Sequence, residues 1–422
     1  MKVNLRKRGK RNFQQHIRVE RAWVKNINTL ENRLHPLIKY PGGKEGELKY
    51  ILNCLPAEIN NYYEPFVGGG AVFFAINADR YFINDKSADL MLLFSCIKAQ
   101  DELFFKKLDF INNNWIIISE VVDNHIDDLL DIYSEYRKAH TDECGLADSI
   151  AEFVASNADE LNRLFQREFN FLIENFVLEI NRSMKNKMIR MKKLETEKGE
   201  LSNEDKISNI ECSMKSAFYF HLRYLMNNKM RLAIDDSSHA AIYFFIRQTC
   251  YSSMFRYNKN GHFNVPYGGI SYNRNSFERK IEYFRSASLR EHLEKTRLKN
   301  LDFYDFMEQH ELNNDDFVFV DPPYDSDFST YDGNEFGRAD QERLANYLIN
   351  ECAANFMLVI KNTDLISGLY TNGAKTANGN KLYIGYFDKQ YFVSFMNRND
   401  KAAKHLLITN YEIGTGFKKG RV

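Results

Sequence analysis

The feature that most constrains this chain is the run Phe317-Val318-Phe319-Val320, closed by Asp321-Pro322-Pro323-Tyr324. Four apolar residues with no polar alternation, stopped by two prolines, predict a strand buried on both faces, as in a parallel sheet, with a loop at its carboxyl end. In an open α/β sheet that end is where ligands bind. The prolines donate no hydrogen bond and hold φ fixed, so the Asp321 carboxylate and the Pro322 carbonyl stand as paired acceptors beside the Tyr324 ring. Two acceptors next to a flat ring suit a planar base carrying an exocyclic amino group. Alone, the tetrapeptide also reads as a simple turn, and the rest of the chain has to decide.

The chain has 422 residues, room for two or three domains or for one large α/β domain with an insertion. Lys+Arg and Asp+Glu each total 57, so net charge gives no support for a nucleic-acid partner and any basic footprint must be local. Cys54, Cys96, Cys144, Cys212, Cys250 and Cys352 are scattered without a C-x-x-C pair. That argues for a reducing compartment and against a zinc site or a disulfide framework. No apolar run is long enough to span a bilayer, and no signal-peptide core follows the basic N-terminus, so the expected location is cytoplasmic.

Residues 1–35 form a basic arm with Arg6, Lys7, Arg8, Lys10, Arg11, Arg18 and Arg21, either touching phosphates or merely solvated. Next, Lys39-Tyr40-Pro41-Gly42-Gly43-Lys44 precedes a helix-like pattern through Leu48, Ile51, Leu52 and Leu55. Lys44 there is free to pair with a carboxylate. Tyr62-Tyr63-Glu64-Pro65-Phe66-Val67-Gly68-Gly69-Gly70 reads as a strand running into three glycines, with a helix to follow. Twenty-one positions after Glu64, Asp85 ends a second strand-like run, at an offset that suits ribose hydroxyls. Phe73 takes the place of the third glycine of G-x-G-x-x-G, which favours an adenosine-containing cofactor smaller than a dinucleotide.

From Gln100 to Ile242 the chain turns helical and charged. Leu161, Phe165, Phe169, Leu172, Phe176, Ile180, Met184, Met188 and Met191 predict one long amphipathic helix, basic at its far end, that returns through a turn at 195–205. Its basic tip reads as a DNA contact, a protein contact or a solvated end. Residues 247–277 mix Tyr251, Arg256, Asn258 and Asn264 with a Lys259-Asn260-Gly261 turn. Arg and Asn are the types that read guanine and adenine edges, at about 1–3 kcal/mol of discrimination each. A strand end at 298–303, a helix from Arg338 to Cys352, a strand at Phe356–Ile360 and a closing hairpin of Tyr391–Phe395 with His405–Thr409 complete the expected sheet.

Together these motifs resemble the Dam-type, or D12 class, DNA adenine-N6 methyltransferases. Lys39 to Lys44, Glu64 to Gly70, Arg256-Tyr257-Asn258 with Phe263-Asn264-Val265-Pro266-Tyr267-Gly268, and Asp321 to Tyr324 follow that family's order. The resemblance implies a Rossmann-like α/β sheet dependent on S-adenosyl-L-methionine, with an inserted, mainly helical target-recognition region. The catalytic domain would comprise 36–100 and 285–412, the insertion 101–284, and 413–422 a basic tail. It implies that Tyr40, Lys44, Phe66, Gly68, Gly69, Gly70, Asp85, Asp302, Phe303 and Asp321 contact the cofactor. Catalysis falls to Asp321, Pro322 and Tyr324, and DNA binding to Tyr251, Arg256, Asn258 and Asn264. No metal is implied. The implied partner is double-stranded DNA, with a cognate restriction endonuclease where the enzyme belongs to such a pair, and a monomer is the default. Gly269, where the best-known members carry a basic residue, and the long insertion leave the recognition sequence open.

The expected reaction has Asp321 and the Pro322 carbonyl accept the N6 protons of a flipped adenine stacked on Tyr324. Two readings compete: an N4-cytosine methyltransferase, in which serine usually stands first in the loop, and a DNA-binding module that has lost catalysis.

Overall fold

A computed structural model describes residues 34–163, 172–324, 336–390 and 402–413. The basic arm up to residue 33, Phe165, Phe169, the Tyr391–Phe395 run and the tail beyond 413 lie outside the described residues. The chain divides into two compact units, with breaks at Ser95/Cys96 and Ser286/Ala287, where the sequence reading put them at 100 and 285.

The first unit is built on seven strands: β1 Asn61–Glu64, β2 Arg80–Asn84, β3 Thr296–Lys299, β4 Phe317–Val320, β5 Asn355–Lys361, β6 Tyr383–Gln390 and β7 Ala402–Thr409. Their order is β3-β2-β1-β4-β5-β7-β6. The first five are parallel, and β7 runs against both β5 and β6. Strand order reverses between β1 and β4, which pair through Tyr62–Phe317 and Tyr63–Val318. All four β4 side chains are fully buried, as an unalternating run requires in a sheet covered on both faces. The reversal opens a crevice at the carboxyl ends of β1 and β4, where Glu64 and Asp321 emerge.

Four local expectations are corrected. The helix expected after the glycines is a single 3₁₀ turn, Phe73–Ala75. Phe73 and Phe74 are fully buried and Phe73 packs edge-on against Tyr81 and His292, so the segment has no polar face to give an amphipathic helix. The helix after Lys44 is one turn, Leu48–Ile51, continued by a 3₁₀ turn and stopped at Leu55, which is extended as a residue before proline should be. The long helix from Leu161 is interrupted, because Leu161 lies on a separate helix, Ala158–Arg163. Leu172 takes a left-handed φ of 58° before α1, Ile173–Lys198, begins. Finally, the described strand that pairs with His405–Thr409 in the closing hairpin is β6, earlier than the run singled out in the sequence.

The second unit is helical. The α1 helix buries Phe176, Ile180, Met184, Met188 and Met191 on one stripe, ends at Gly199 (φ 94°) and returns as α2, Asn203–Asn227, capped by the Ser202 side chain on the Asp205 amide. A third helix, α3, covers Asp236–Thr249. Trp115, 1% exposed, anchors this core against the rings of Phe245, Tyr267 and Phe218. Among the described residues no helix is long and apolar enough to cross a membrane.

Candidate active site and recognition loop

Most site side chains of the first unit are placed by a strand end or by the turn that follows it, while Tyr40 and Lys44 lie on the segment before β1 and Phe303 on a helix. At the end of β4, Asp321 meets Lys44, whose ammonium lies 2.5 Å from both Asp321 oxygens, donates to the Gly42 carbonyl at 2.9 Å and reaches the Tyr324 hydroxyl at 3.2 Å. Lys44 is 2% exposed. A buried ammonium must be paired, and this one is held by both ends of the Asp-Pro-Pro-Tyr loop. The Tyr324 ring also meets the His405 ring of β7 edge-on at 5.4 Å. Pro322 is buried. The Gln341 side-chain amide donates to the Pro323 carbonyl at 2.8 Å from a fourth helix, α4, Arg338–Asn350.

The glycine loop is pressed against Ile38 to Tyr40. A Cβ on Gly69 would stand 2.6 Å from the Ile38 carbonyl oxygen, and one on Gly68 (φ 49°) 3.1 Å from the Tyr40 ring. The chain therefore needs these glycines for its own backbone before any ligand arrives. Gly70, at φ 83°, abuts the Phe74 ring. Asp85 accepts from the Gly68 amide at 3.0 Å and from the Ser87 amide at 3.0 Å, bracing the loop from β2. Asn84, missed in the sequence, ties Pro65 to Leu301 through three hydrogen bonds. Glu64, fully buried, accepts from the Tyr62 hydroxyl at 2.7 Å. Burial foremost, with Asp321 and Asp85 adding to it against that hydrogen bond, holds the Glu64 carboxyl well above the usual carboxylate range.

Asp302 caps the helix Phe303–Glu308 and takes Arg343 of α4 at 2.8 Å on both oxygens. That guanidinium lies 4.6 Å over the Phe303 ring. Phe303 is 3% exposed, packed with Phe66 at 5.5 Å and Phe336 at 5.8 Å. Phe66, half-buried, meets Phe336 edge-on. Nothing in the sequence pattern pointed to Arg343 or Gln341, which lie on a helix that reads as ordinary amphipathic scaffold.

In the second unit the 247–277 segment, expected as a hairpin, is a loop with isolated bridges, Cys250–Tyr267 and Tyr257–Phe263. Tyr251 is 45% exposed and is followed by Ser252 and Ser253 at φ 52° and 51°. Arg247, fully buried at the end of α3, holds this turn by donating to Ser253 and Met254 carbonyls at 2.8 and 2.6 Å, with its guanidinium 3.4 Å over Phe255. Arg256 is exposed and clasped by Asn264, Nε to Oδ1 at 2.8 Å and Nη2 to the carbonyl at 3.0 Å. Asn258 spends its side-chain oxygen on the Asn260 and His262 amides, closing the tip. Among the described residues no cluster of three or more His, Cys, Asp or Glu side chains could hold a metal ion.

A mostly parallel sheet whose switch-point crevice gathers acids, aromatic rings and one buried lysine defines a Rossmann-like α/β enzyme of methyltransferase type. The family model for D12 class N6 adenine-specific DNA methyltransferases matches residues 40–196 and 184–383, and the chain belongs to that family. It is similar to the type II methyltransferase M.CviBI of Paramecium bursaria Chlorella virus NC1A, 24% identical over 387 residues, covering 90% of this chain and 100% of the relative. The type II methyltransferase M.MjaIII of Methanocaldococcus jannaschii is 25% identical over 79% of this chain and 87% of its own. The DNA adenine methylase of Haemophilus influenzae is 23% identical over 81% and 84%.

Proposed function

We propose that this chain transfers the methyl group of S-adenosylmethionine to N6 of an adenine that has left a DNA duplex, with Asp321, Pro322 and Tyr324 as the reacting site. The donor set at the crevice fits the cofactor: carboxylates at Asp85, Asp302 and Asp321 suit its ribose hydroxyls and its cationic centres. Tyr40 and Phe66 supply flat apolar surface beside the Gly68–Gly70 turn, of which Gly68 is partly exposed. When bound, the cofactor supplies an electrophilic methyl group on a sulfonium.

The residues of this chain do the rest by orientation and electrostatics. Adenine N6 is a poor nucleophile because its lone pair is delocalised into the ring. Asp321, held by the Lys44 ammonium, accepts one N6 proton as a hydrogen bond and the Pro322 carbonyl accepts the other, which lets the nitrogen become tetrahedral. Tyr324, steadied by Lys44 and His405, stacks on the extruded base, offsetting part of the few kcal/mol that extrusion costs. Asp302 and Phe303 would hold the cofactor adenine and Asp85 its ribose. In the second unit, Tyr251 would enter the duplex, with Arg256, Asn258 and Asn264 at base edges. The type II methyltransferases among its relatives favour a role in a restriction–modification pair.

The observation that carries this reading is the Lys44–Asp321–Tyr324 cluster at the carboxyl end of a fully buried central strand. Methylation-aware sequencing of DNA from a methylation-deficient host expressing the chain tests it, beside Asp321→Ala. N6-methyladenine at one short motif, absent with the variant, is the expected result. Unmodified DNA with soluble, DNA-binding protein would move the assignment to a binding module, and N4-methylcytosine to the other base.

A further inference from the structure

Between α1 and α2 of the helical unit runs a cleft of about 320 Å³ lined by Arg182, Lys187, Arg190 and Arg223 against a single acid, Glu179. Ser183, Asn186, Ser213 and Ser216 add neutral polar groups. The helices are antiparallel, Asn175 meeting His221 at 3.0 Å and Lys187 meeting Cys212 at 3.6 Å, so the stripe at 179, 182, 183, 186, 187 and 190 faces the stripe at 213, 216, 220 and 223.

Several other cations on or beside this helical hairpin have partners. Arg137 pairs with Glu195 at 2.6 Å, Lys206 with Glu200 at 2.9 Å, and Lys192 donates to the Tyr136 carbonyl at 2.7 Å. In the cleft, Arg182 is 74% exposed and has only Glu179 at 3.6 Å. Arg190 has no hydrogen-bond or ion-pair partner among the described residues. Arg223 lies within electrostatic reach of Arg182 and Arg256, and Glu179 is the acid that offsets them. Such a set is stable beside a polyanion.

Position says which polyanion. Arg223 donates to the Val265 carbonyl at 2.8 Å, and Asn227 of the same helix exchanges two bonds of 2.9 Å with Phe263. The α2 helix therefore carries one wall of the cleft and also fixes the loop on which Asn264 clasps Arg256. A solvated helix face would not be tied to that loop. Arg182 and Arg190 lie about 12 Å apart along α1 at 1.5 Å per residue, far enough for the two guanidiniums to meet different phosphates of a DNA strand.

We infer that this cleft binds the phosphate backbone of duplex DNA flanking the target sequence, Arg182 and Arg190 each neutralising a phosphate. The inference rests on the reading of the chain as an enzyme acting on duplex DNA. It gives the helical insertion a positioning task, independent of sequence, beside the base-reading loop.

The test uses full-length protein and a duplex of about 30 base pairs, with affinity measured by fluorescence anisotropy from low to moderate salt. Arg182→Gln with Arg190→Gln is expected to weaken binding and lower the slope of log affinity against log salt by about two, since each phosphate contact contributes about 0.9. Arg182→Lys with Arg190→Lys keeps the slope. Both positions are exposed, so the melting temperature stays within a degree or two. A slope and affinity unchanged in the double glutamine variant overturn the cleft assignment. Binding with the arginine-dependent slope, by wild-type protein that methylates no site in the DNA of an expressing host, supports the cleft and overturns the catalytic reading instead.

Discussion

The Lys44 ammonium touches both carboxylate oxygens of Asp321 at 2.5 Å although 277 positions separate the two residues. It joins the Gly42–Lys44 turn near the N-terminus to the loop proposed to do the chemistry, and its bond to the Tyr324 hydroxyl sets both ends of that loop together. Lys44→Met removes the partner of a largely buried carboxylate, which in comparable pairs costs about 3–5 kcal/mol of stability. It also frees Asp321 to rotate, and misplacement by about 1 Å costs on the order of 100-fold in rate. The expected outcome is a fall in kcat of about that size with duplex affinity unchanged, measured by single-turnover methylation and anisotropy. Near wild-type kcat would show that Asp321 needs no such anchor.

A second anchor acts from the opposite side. Gln341 is fully buried, its amide nitrogen on the Pro323 carbonyl and its Oε1 without a hydrogen-bond partner among the described residues. Gln341→Leu leaves that carbonyl unpaired, at a cost of about 1–3 kcal/mol, and loosens the loop without touching its acceptors. Thermal melting should drop by several degrees, and kcat should fall about 10-fold with little change in KM for the cofactor. A change confined to KM would place Gln341 in cofactor binding instead.

What could be read in the sequence, and what could not, divides by range. The β4 strand and its loop were legible because four consecutive apolar residues leave a strand no solvent face. The same holds for the β1 glycine turn, whose residue types are demanded locally. Lys44 was visible as a cation seeking a carboxylate, but its pairing with Asp321 depends on β1 and β4 being neighbours. Gln341, Arg343 and Asn84 carry no local signal, since a buried amide and a surface one look alike until the packing is known. Leu172 fits the apolar period of α1, yet its left-handed backbone makes α1 start only at Ile173, a choice that periodicity does not encode. The basic far end of α1 was visible in the sequence, but the cleft it lines exists only because α1 packs against α2.

Arg343 bridges Asp302, Asp340 and the face of Phe303. The Arg343 and Asp302 side chains are 43% and 25% exposed, so Arg343→Gln should shift stability by no more than about 1 kcal/mol. If Asp302 holds the cofactor adenine, release of that carboxylate should raise the Kd of S-adenosylmethionine about 5-fold, by calorimetry, with kcat at saturation retained. An unchanged Kd would assign Asp302 to capping its helix alone.

Arg256 faces solvent only as Asn264 aims it, through one bond to the side chain and one to the backbone. Asn264→Ala deletes the side-chain bond and keeps the carbonyl, so Arg256 remains attached but gains freedom. The expected effect is lost discrimination, with methylation of target sequences that differ at one base rising by about 10-fold relative to the cognate one, the equivalent of about 1–3 kcal/mol of a bidentate contact. Total turnover on the cognate sequence should change less. Methylome sequencing of cells expressing the variant reads this directly, and an unaltered motif would move base reading to other side chains.

Acid should loosen both units through buried histidines. Burial pushes His221 in the helical unit down to about 3, and burial with the nearby Lys295 pushes His292 in the sheet unit down to about 4, against 6.5 for an exposed imidazole. The folded state therefore keeps both rings neutral while the unfolded chain takes up protons as pH falls below 6.5. Stability is fully present above that value and declines below it, by about 1.4 kcal/mol per pH unit for each histidine. Between pH 6.5 and pH 5 that amounts to about 2 kcal/mol in each unit. Carbon-13 spectra of histidine-labelled protein should show the His221 and His292 resonances unmoved down to pH 5 while exposed imidazoles titrate, and the melting temperature should fall over the same interval. A His221 resonance that titrates near pH 6.5 with the fold intact would mean that water reaches the α1–α2 interior, and with it the acid sensitivity of that unit would vanish.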